Sequence, residues 1–272
     1  MKILALDAGG IKGIYQIAII SELEKEKSYS FRDTFGVYTG TSIGGVIAIF
    51  LALGIEISDV VSEFIKPILT SNNIGRIFDE FFNWITIKLE NKYFGDISSK
   101  VSLPVYDLTE RELSHFGINS PFNCDNILIS DIIKAICSDY RIMKAYKIHK
   151  LSDQFIDAGF FAYDPTMYFI RSLKKLDLKF HILSIGSGYI RNMNNQLNRD
   201  NYFDLMYDAI IYDQFLNNYF ILNFLEKENF FYYRISEEPN FKDLFTVDNI
   251  YNKALDRINK IDYKKLNTFF NS

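Results

Sequence analysis

Gly40-Thr41-Ser42-Ile43-Gly44 has the form G-x-S-x-G, follows Val37-Tyr38, and runs into Val46-Ile47-Ala48-Ile49-Phe50-Leu51-Ala52-Leu53. An extended segment, a tight turn and a continuous apolar run describe a strand, an elbow and a buried helix. On such an elbow a serine occupies strained backbone and leaves its hydroxyl exposed. Gly40 and Gly44 suit the turn because strand and helix backbones approach too closely there for a β-carbon. The helix aims its first N–H groups, including that of Ile43, back at the turn, which favours developing negative charge. A serine in this place can also serve simply as a helix N-cap in a nucleotide-binding turn. Other stretches of the chain have to decide.

Two of them fit the elbow. Upstream, Lys2-Ile3-Leu4-Ala5-Leu6 reads as a short buried strand ending in Asp7-Ala8-Gly9-Gly10-Ile11-Lys12-Gly13. A helix is expected from Ile14 to about Lys25. A glycine-rich turn between strand and helix presents bare N–H groups in a concave nest, able to hold a phosphate or an oxyanion. Downstream, Phe155-Ile156-Asp157-Ala158-Gly159 puts an acid at the end of another apolar segment, with Asp164-Pro165 beyond. A weaker echo, Ile182-Leu183-Ser184-Ile185-Gly186-Ser187-Gly188, is again a strand running into small residues.

With these residues in place the chain resembles the patatin-like phospholipase family. That family's pattern is a D-G-G-G-x-[RK]-G turn, a G-x-S-x-G nucleophile soon after, and a later D-G-[GA]. The matching positions are Asp7 to Gly13, Gly40 to Gly44, and Asp157 to Gly159, with Ile182 to Gly188 similar to a further family strand end. The resemblance covers roughly residues 1–190. Ala8 and Ala158 stand where the pattern has glycine; Ala8 is compatible only with a negative φ. The resemblance implies a three-layer α/β sandwich and a lipid acyl hydrolase of the phospholipase A kind. It also implies a serine–aspartate dyad and an acyl-enzyme intermediate.

The residues can be weighed for that chemistry one by one. Ser42 is the candidate nucleophile, and a serine hydroxyl needs a neighbouring base to take its proton. Asp157 is the candidate base, the competing reading being a turn-forming aspartate at a strand end. A free aspartate titrates at about 3.9, too low for a base at neutral pH, so Asp157 has to lie in a mostly apolar cleft beside Ser42. Gly9 and Gly10 supply N–H groups to an oxyanion, joined by the N–H of Ile43. Lys12 either holds the glycine turn, adds positive potential, or is a solvated lysine at a helix start. Asp7 caps or braces the turn, and Gly13, Gly40, Gly44 and Gly159 support the turns around it. The histidines are His115, His149 and His181. His181 follows Asp157 and could complete a Ser–Asp–His order, but it begins an expected strand. No His, Cys, Asp or Glu cluster has metal spacing, so neither metal nor cofactor is expected.

Composition bounds the partners. A chain of 272 residues with 48% hydrophobic and 24% charged residues and a net charge of −4 can build one large α/β domain. Nothing in that charge points to nucleic acid, and no basic patch draws the chain to anionic lipid. The expected partner is a phospholipid or other acyl lipid, with membrane contact at most peripheral; oligomeric state stays open. Cys124 and Cys137 read as reduced thiols of an intracellular protein. No secretory signal is visible, and Ile43–Ile57 is too short to span a bilayer. A cytoplasmic location follows as the expectation.

The fold expected is a mostly parallel central sheet flanked by helices on both faces, with an aromatic-rich helical cap. Residues 1–272 form a single domain, with a motif-bearing core at 1–190 and a helical C-terminal part at 191–272. Strands are expected near 2–7, 36–40, 153–157 and 180–185, and helices near 14–26, 43–54, 58–70 and 130–138. Residues 72–104 carry Phe78, Phe81, Phe82, Trp84, Ile85, Ile87, Tyr93 and Phe94 among charges. They read as an amphipathic cap helix on the core, or as a lid over the site. Residues 201–234, with Tyr202, Phe203, Phe215, Tyr219, Phe220, Phe224, Phe230 and Tyr232, read as core packing or a self-association surface. Two other functions compete. Leu6-Asp7-Ala8-Gly9-Gly10, Asp157-Ala158-Gly159 and Gly186-Ser187-Gly188 also resemble the ATP-binding loops of actin-like sugar kinases, which leaves residues 40–44 unexplained. A non-catalytic lipid-binding member of the same family is the other.

Overall fold

β1 (Lys2–Leu6) is buried on both faces, as a central strand of a covered parallel sheet must be. Leu4 and Leu6 pack into one cluster with the helices Gly13–Lys27 and Ile43–Ala52. Ile3 and Ala5 point the other way, toward Phe169, Ile170 and Leu222. The period of two along one strand therefore places helices on both faces. These positions come from a computed structural model, which describes residues 1–27, 29–68, 74–141, 143–173, 179–188, 202–225, 230–236 and 247–271.

The remaining strands are β2 (Val37–Gly40), β3 (Val101–Asp107), β4 (Glu112–Gly117), β5 (Tyr146–Ile148), β6 (Asp153–Asp157), β7 (Phe180–Ile185) and β8 (Phe230–Ile235). They form one eight-stranded sheet in the order β5-β6-β3-β2-β1-β7-β8, with β4 paired to β3. The run from β3 through β2, β1 and β7 to β8 is parallel, and β4, β5 and β6 add antiparallel pairs. The expected mostly parallel α/β sheet is what forms.

Around β3 the register matters most. Ser102 pairs with both Thr39 of β2 and Gly117 of β4, while Val105 pairs with both Asp157 of β6 and Ser114 of β4. A strand has two hydrogen-bonding edges, so β2 and β6 share the edge opposite β4. β2 runs parallel to β3 and β6 antiparallel, so their C-terminal ends face each other. The separation from Ser102 to Val105 is about 10 Å along the strand. Pro104, which has no N–H to give, stands in that gap.

The helix Ile43–Ala52 is buried from Gly44 to Ala52, and an all-apolar helix is stable only inside a core. Phe50 meets the Trp84 ring edge-on at 5.6 Å, and Phe64 packs on Phe81 at 4.8 Å. These contacts dock the helix Ile74–Lys88 on the core through Phe81, Trp84 and Ile85, leaving Ile87 exposed. So the cap-helix reading of 72–104 describes its first half. Tyr93 is exposed and Phe94 buried in a short turn, and β3 begins at Val101. Residues 72–73 and the side chain of Phe78 lie outside the described residues, as do residues 69–70 of the helix expected at 58–70.

The C-terminal part is helical at Tyr202–Leu225, Val247–Ile258 and Tyr263–Asn271, but it also contributes β8 to the sheet. Tyr232 of β8 is core, as expected, while Phe220 is 69% exposed. The side chains of Tyr202, Phe203, Phe215, Tyr219, Phe224 and Phe230 lie outside the described residues. Among the described residues no helix is long and apolar enough to cross a membrane.

Candidate active site

The elbow's backbone forms as its sequence demands, although Ser42 is buried and not exposed as expected. Ser42 has φ 54° and ψ −124°, a conformation that costs a non-glycine residue about 1–3 kcal/mol. The glycines around it are fixed by contact: a β-carbon on Gly40 would lie 2.2 Å from the Gly44 carbonyl oxygen, and one on Gly44 2.4 Å from that of Leu6. The Thr41 N–H donates to that same Leu6 oxygen at 3.1 Å, tying the elbow to the end of β1. Ile43, Gly44 and the rest of the helix follow directly.

Facing the elbow is Asp157, the last residue of β6, brought there by the shared edge of β3. Its backbone N–H donates to Ser138 O at 3.0 Å, and its Oδ1 accepts the Gly159 N–H at 2.7 Å. Burial pushes the Asp157 carboxyl up to about 7. The Ser42 hydroxyl, a hydrogen-bonding neighbour of the carboxyl, opposes that rise. Arg141, which pairs with Asp139 at 2.5 Å, comes last among the influences on Asp157. Ala158, at the alanine departure, is buried at the start of a short 3-10 turn, and a cavity of about 280 Å³ opens beside Asp157, walled by Tyr140, Phe160, Phe161 and Met206.

The glycine turn lies on the other side. Gly9 has φ 152° and Gly10 φ 55°, whereas Ala8 keeps the negative φ its β-carbon requires. Among the described residues neither Gly9 nor Gly10 spends its N–H on a backbone carbonyl. Gly10, Gly13 and Ile43 line one small apolar pocket with Phe64 and Phe81, so turn and elbow meet there. A β-carbon on Gly13 would lie 2.4 Å from the Ile43 side chain.

Lys12 is a tie and not a free surface charge. Its Nζ donates to Tyr163 Oη at 2.8 Å and to Gly188 O at 3.1 Å. Tyr163 Oη lies 3.0 Å from Ser187 Oγ, which donates to Ala8 O at 2.5 Å. The Ala8 N–H donates to Tyr163 O at 2.8 Å, and Thr41 Oγ1 donates to Ala162 O at 2.6 Å. Glycine turn, elbow and the loop after Asp157 are thus stitched together at 162–163. Gln214 adds a clamp, accepting the Tyr163 N–H at 3.1 Å and donating to Phe160 O at 2.6 Å.

Asp7, expected to cap or brace the turn, is held by a partner the sequence did not announce. Arg234 of β8 donates through Nη1 and Nη2 to its two oxygens at 3.1 and 2.6 Å, and through Nη1 to Asp164 Oδ2 at 3.3 Å. Burial still leaves the Asp7 carboxyl at about 6, the arginine pulling it down and Asp164 pushing it up. Cys137 is a further neighbour missed in the sequence. Burial first, then the Asp157 charge, hold its thiol far above the usual range, while Ser42 acts as its hydrogen-bond partner; it stays a neutral thiol. The histidines lie elsewhere. His115 is held by Tyr168 Oη and Ile118 O at 3.1 and 2.8 Å, and His149 is exposed. His181 pairs with Lys2 at the start of β7, the opposite end of the parallel strands from Ser42.

A mostly parallel α/β sheet that delivers a strained serine, a half-buried aspartate and a glycine turn to one place has the parts of an acyl-transfer site. The patatin-like phospholipase model matches residues 4–170, more than half of the chain, and the chain belongs to that family. The sugar-kinase resemblance gives way to this. A "cUMP-AMP-activated phospholipase" of Escherichia coli is 25% identical over 206 residues, covering 69% of this chain and 64% of that protein. A "cGAMP-activated phospholipase" of Vibrio cholerae is 25% identical over 197 residues, covering 61% and 56%. "Phospholipase A I" of Arabidopsis thaliana is 39% identical over 77 residues, which is 28% of this chain and 5% of that one. The chain thus spans less than two thirds of the length of these relatives.

Proposed function

We propose that this chain is a lipid acyl hydrolase of the phospholipase A kind, a serine esterase working through a Ser42–Asp157 dyad. Asp157 accepts the Ser42 proton as Oγ attacks the ester carbonyl. The N–H groups of Gly9, Gly10 and Ile43 receive the charge on the tetrahedral oxygen. The alcohol or lysolipid leaves with the proton returned by Asp157. Water, deprotonated by the same carboxylate, then cleaves the acyl-enzyme and regenerates Ser42. Lys12, Asp7, Gly13, Gly40, Gly44 and Gly159 keep the three turns in place.

The observation that carries the reading is the Asp157 carboxyl, raised to about 7 by burial beside a serine on strained backbone. That value matches a base to neutral pH. The test incubates the protein with mixed phospholipid and glycerolipid vesicles and identifies released fatty acids, with Ser42→Ala as control. The relatives' names make cUMP-AMP and cGAMP natural additions in separate arms. Fatty-acid release by the wild type and none by Ser42→Ala is expected. Equal release by both contradicts the assignment. Lipid binding without release in any arm selects the non-catalytic reading.

A further inference from the structure

Arg234 lies beyond residues 4–170, in an edge strand, yet its guanidinium ends beneath the glycine turn. We infer that Arg234 is a positioning residue that fixes the glycine turn relative to the loop that follows Asp157, by gripping Asp7 and Asp164 at once. The inference rests on the acyl-transfer reading above.

The register explains the reach. Arg234 pairs with Ser184 of β7, and Ser184 pairs with Ala5 of β1. Residues in register share a face, and Asp7, two beyond Ala5, shares it too. The arginine crosses the small Ser184 side chain, donates to its Oγ, and arrives at the Asp7 carboxylate with both nitrogens. Gly186 leaves the room: a β-carbon there would lie 2.9 Å from Arg234 Nη2. The guanidinium, Asp7 and Asp164 side chains are all nine-tenths or more buried.

Each acid belongs to a different working part. Asp7 leads directly into Ala8-Gly9-Gly10. Asp164 follows Tyr163, and its Oδ1 accepts the Thr166 N–H at 2.9 Å and hydroxyl at 2.5 Å. A rigid fork sets the spacing between two buried carboxylates; a lysine, one point charge on a flexible stem, does not. Without the fork the two acids repel and the turn moves. A misplacement of about 1 Å costs roughly a hundredfold in rate when amides must meet a developing oxyanion.

The experiment compares wild type, Arg234→Lys, and the charge-free Asp7→Asn/Asp164→Asn/Arg234→Gln variant. A soluble p-nitrophenyl ester is the substrate, and melting temperature is recorded for each. Wild type is first labelled with a fluorophosphonate; failure to label Ser42 sinks the acyl-transfer reading and not this inference alone. Given labelling, both folded variants are expected to lose tenfold or more in kcat with KM within about twofold. A role confined to holding the fold would lower melting temperature and leave kcat per folded molecule unchanged. Wild-type kcat in either folded variant overturns the inference. So does failure of both to fold, since the network then serves the fold itself.

Discussion

Two aspartates at the ends of strands, Asp7 buried and Asp157 half-buried, both open a turn of small residues and differ in what faces them. Asp7 meets an arginine fork and a second acid, while Asp157 meets a hydroxyl and one backbone N–H. Burial raises both carboxyls, to about 6 and about 7. A carboxylate gripped on both oxygens by one guanidinium is a tie, since taking up a proton would cost it a charge-assisted hydrogen bond. A carboxylate left with a serine beside it keeps an oxygen available for a proton. The same residue type at equivalent points in the fold is therefore a strut in one place and a candidate base in the other.

The largest difference between the two aspartates is expected in turnover. Asp157→Asn is expected to lower ester hydrolysis by about 10⁴-fold or more, because the attacking hydroxyl loses its base. Circular dichroism should show the fold unchanged. Next in size is Arg234→Met, which leaves Asp7 and Asp164 buried without the guanidinium. Removing one partner of a buried ionic group costs about 3–5 kcal/mol, read from the urea midpoint.

Asp157→Asn itself should move stability the other way. A carboxyl raised from 3.8 to about 7 contributes stability that is full below 3.8 and lost as pH rises through 7. The variant, with no charge to bury, should therefore match the wild type near pH 4 and exceed it at pH 8, by ~2 kcal/mol. Wild-type kcat/KM should fall as pH drops below about 7, where Asp157 takes up its proton. Smallest is Tyr163→Phe, which removes the hydroxyl shared by Lys12 and Ser187. It should cost about 1 kcal/mol in thermal unfolding.

Much of this was legible in the residues. Val37 to Leu53 dictates a strand, an elbow and a buried helix by composition alone, and the glycines at 9, 10, 40 and 44 mark where backbones crowd. The strands at 2–6, 153–157 and 180–185 likewise announce themselves. β3 was hidden because Pro104 and the preceding aromatic helix blur its pattern. β8 was hidden because Phe230-Phe231-Tyr232-Tyr233 reads equally as a surface. Arg234 gave no signal, since its meaning depends on register across β7 to β1. Nor does periodicity reveal that β2 and β6 share one edge of β3, which is what brings Ser42 to Asp157. Tyr163 stood next to Asp164-Pro165 and Ser187 inside the strand end at 182–188, but their hydrogen bonds to Lys12 and Ala8 exist only once the strands are side by side.

The most direct measurement is time-resolved mass mapping of a fluorophosphonate adduct on wild type, Ser42→Ala and Asp157→Asn. The account predicts an adduct on Ser42 in the wild type, none in Ser42→Ala, and labelling slowed by orders of magnitude in Asp157→Asn. An adduct on another residue, or Asp157→Asn labelling at the wild-type rate, contradicts it.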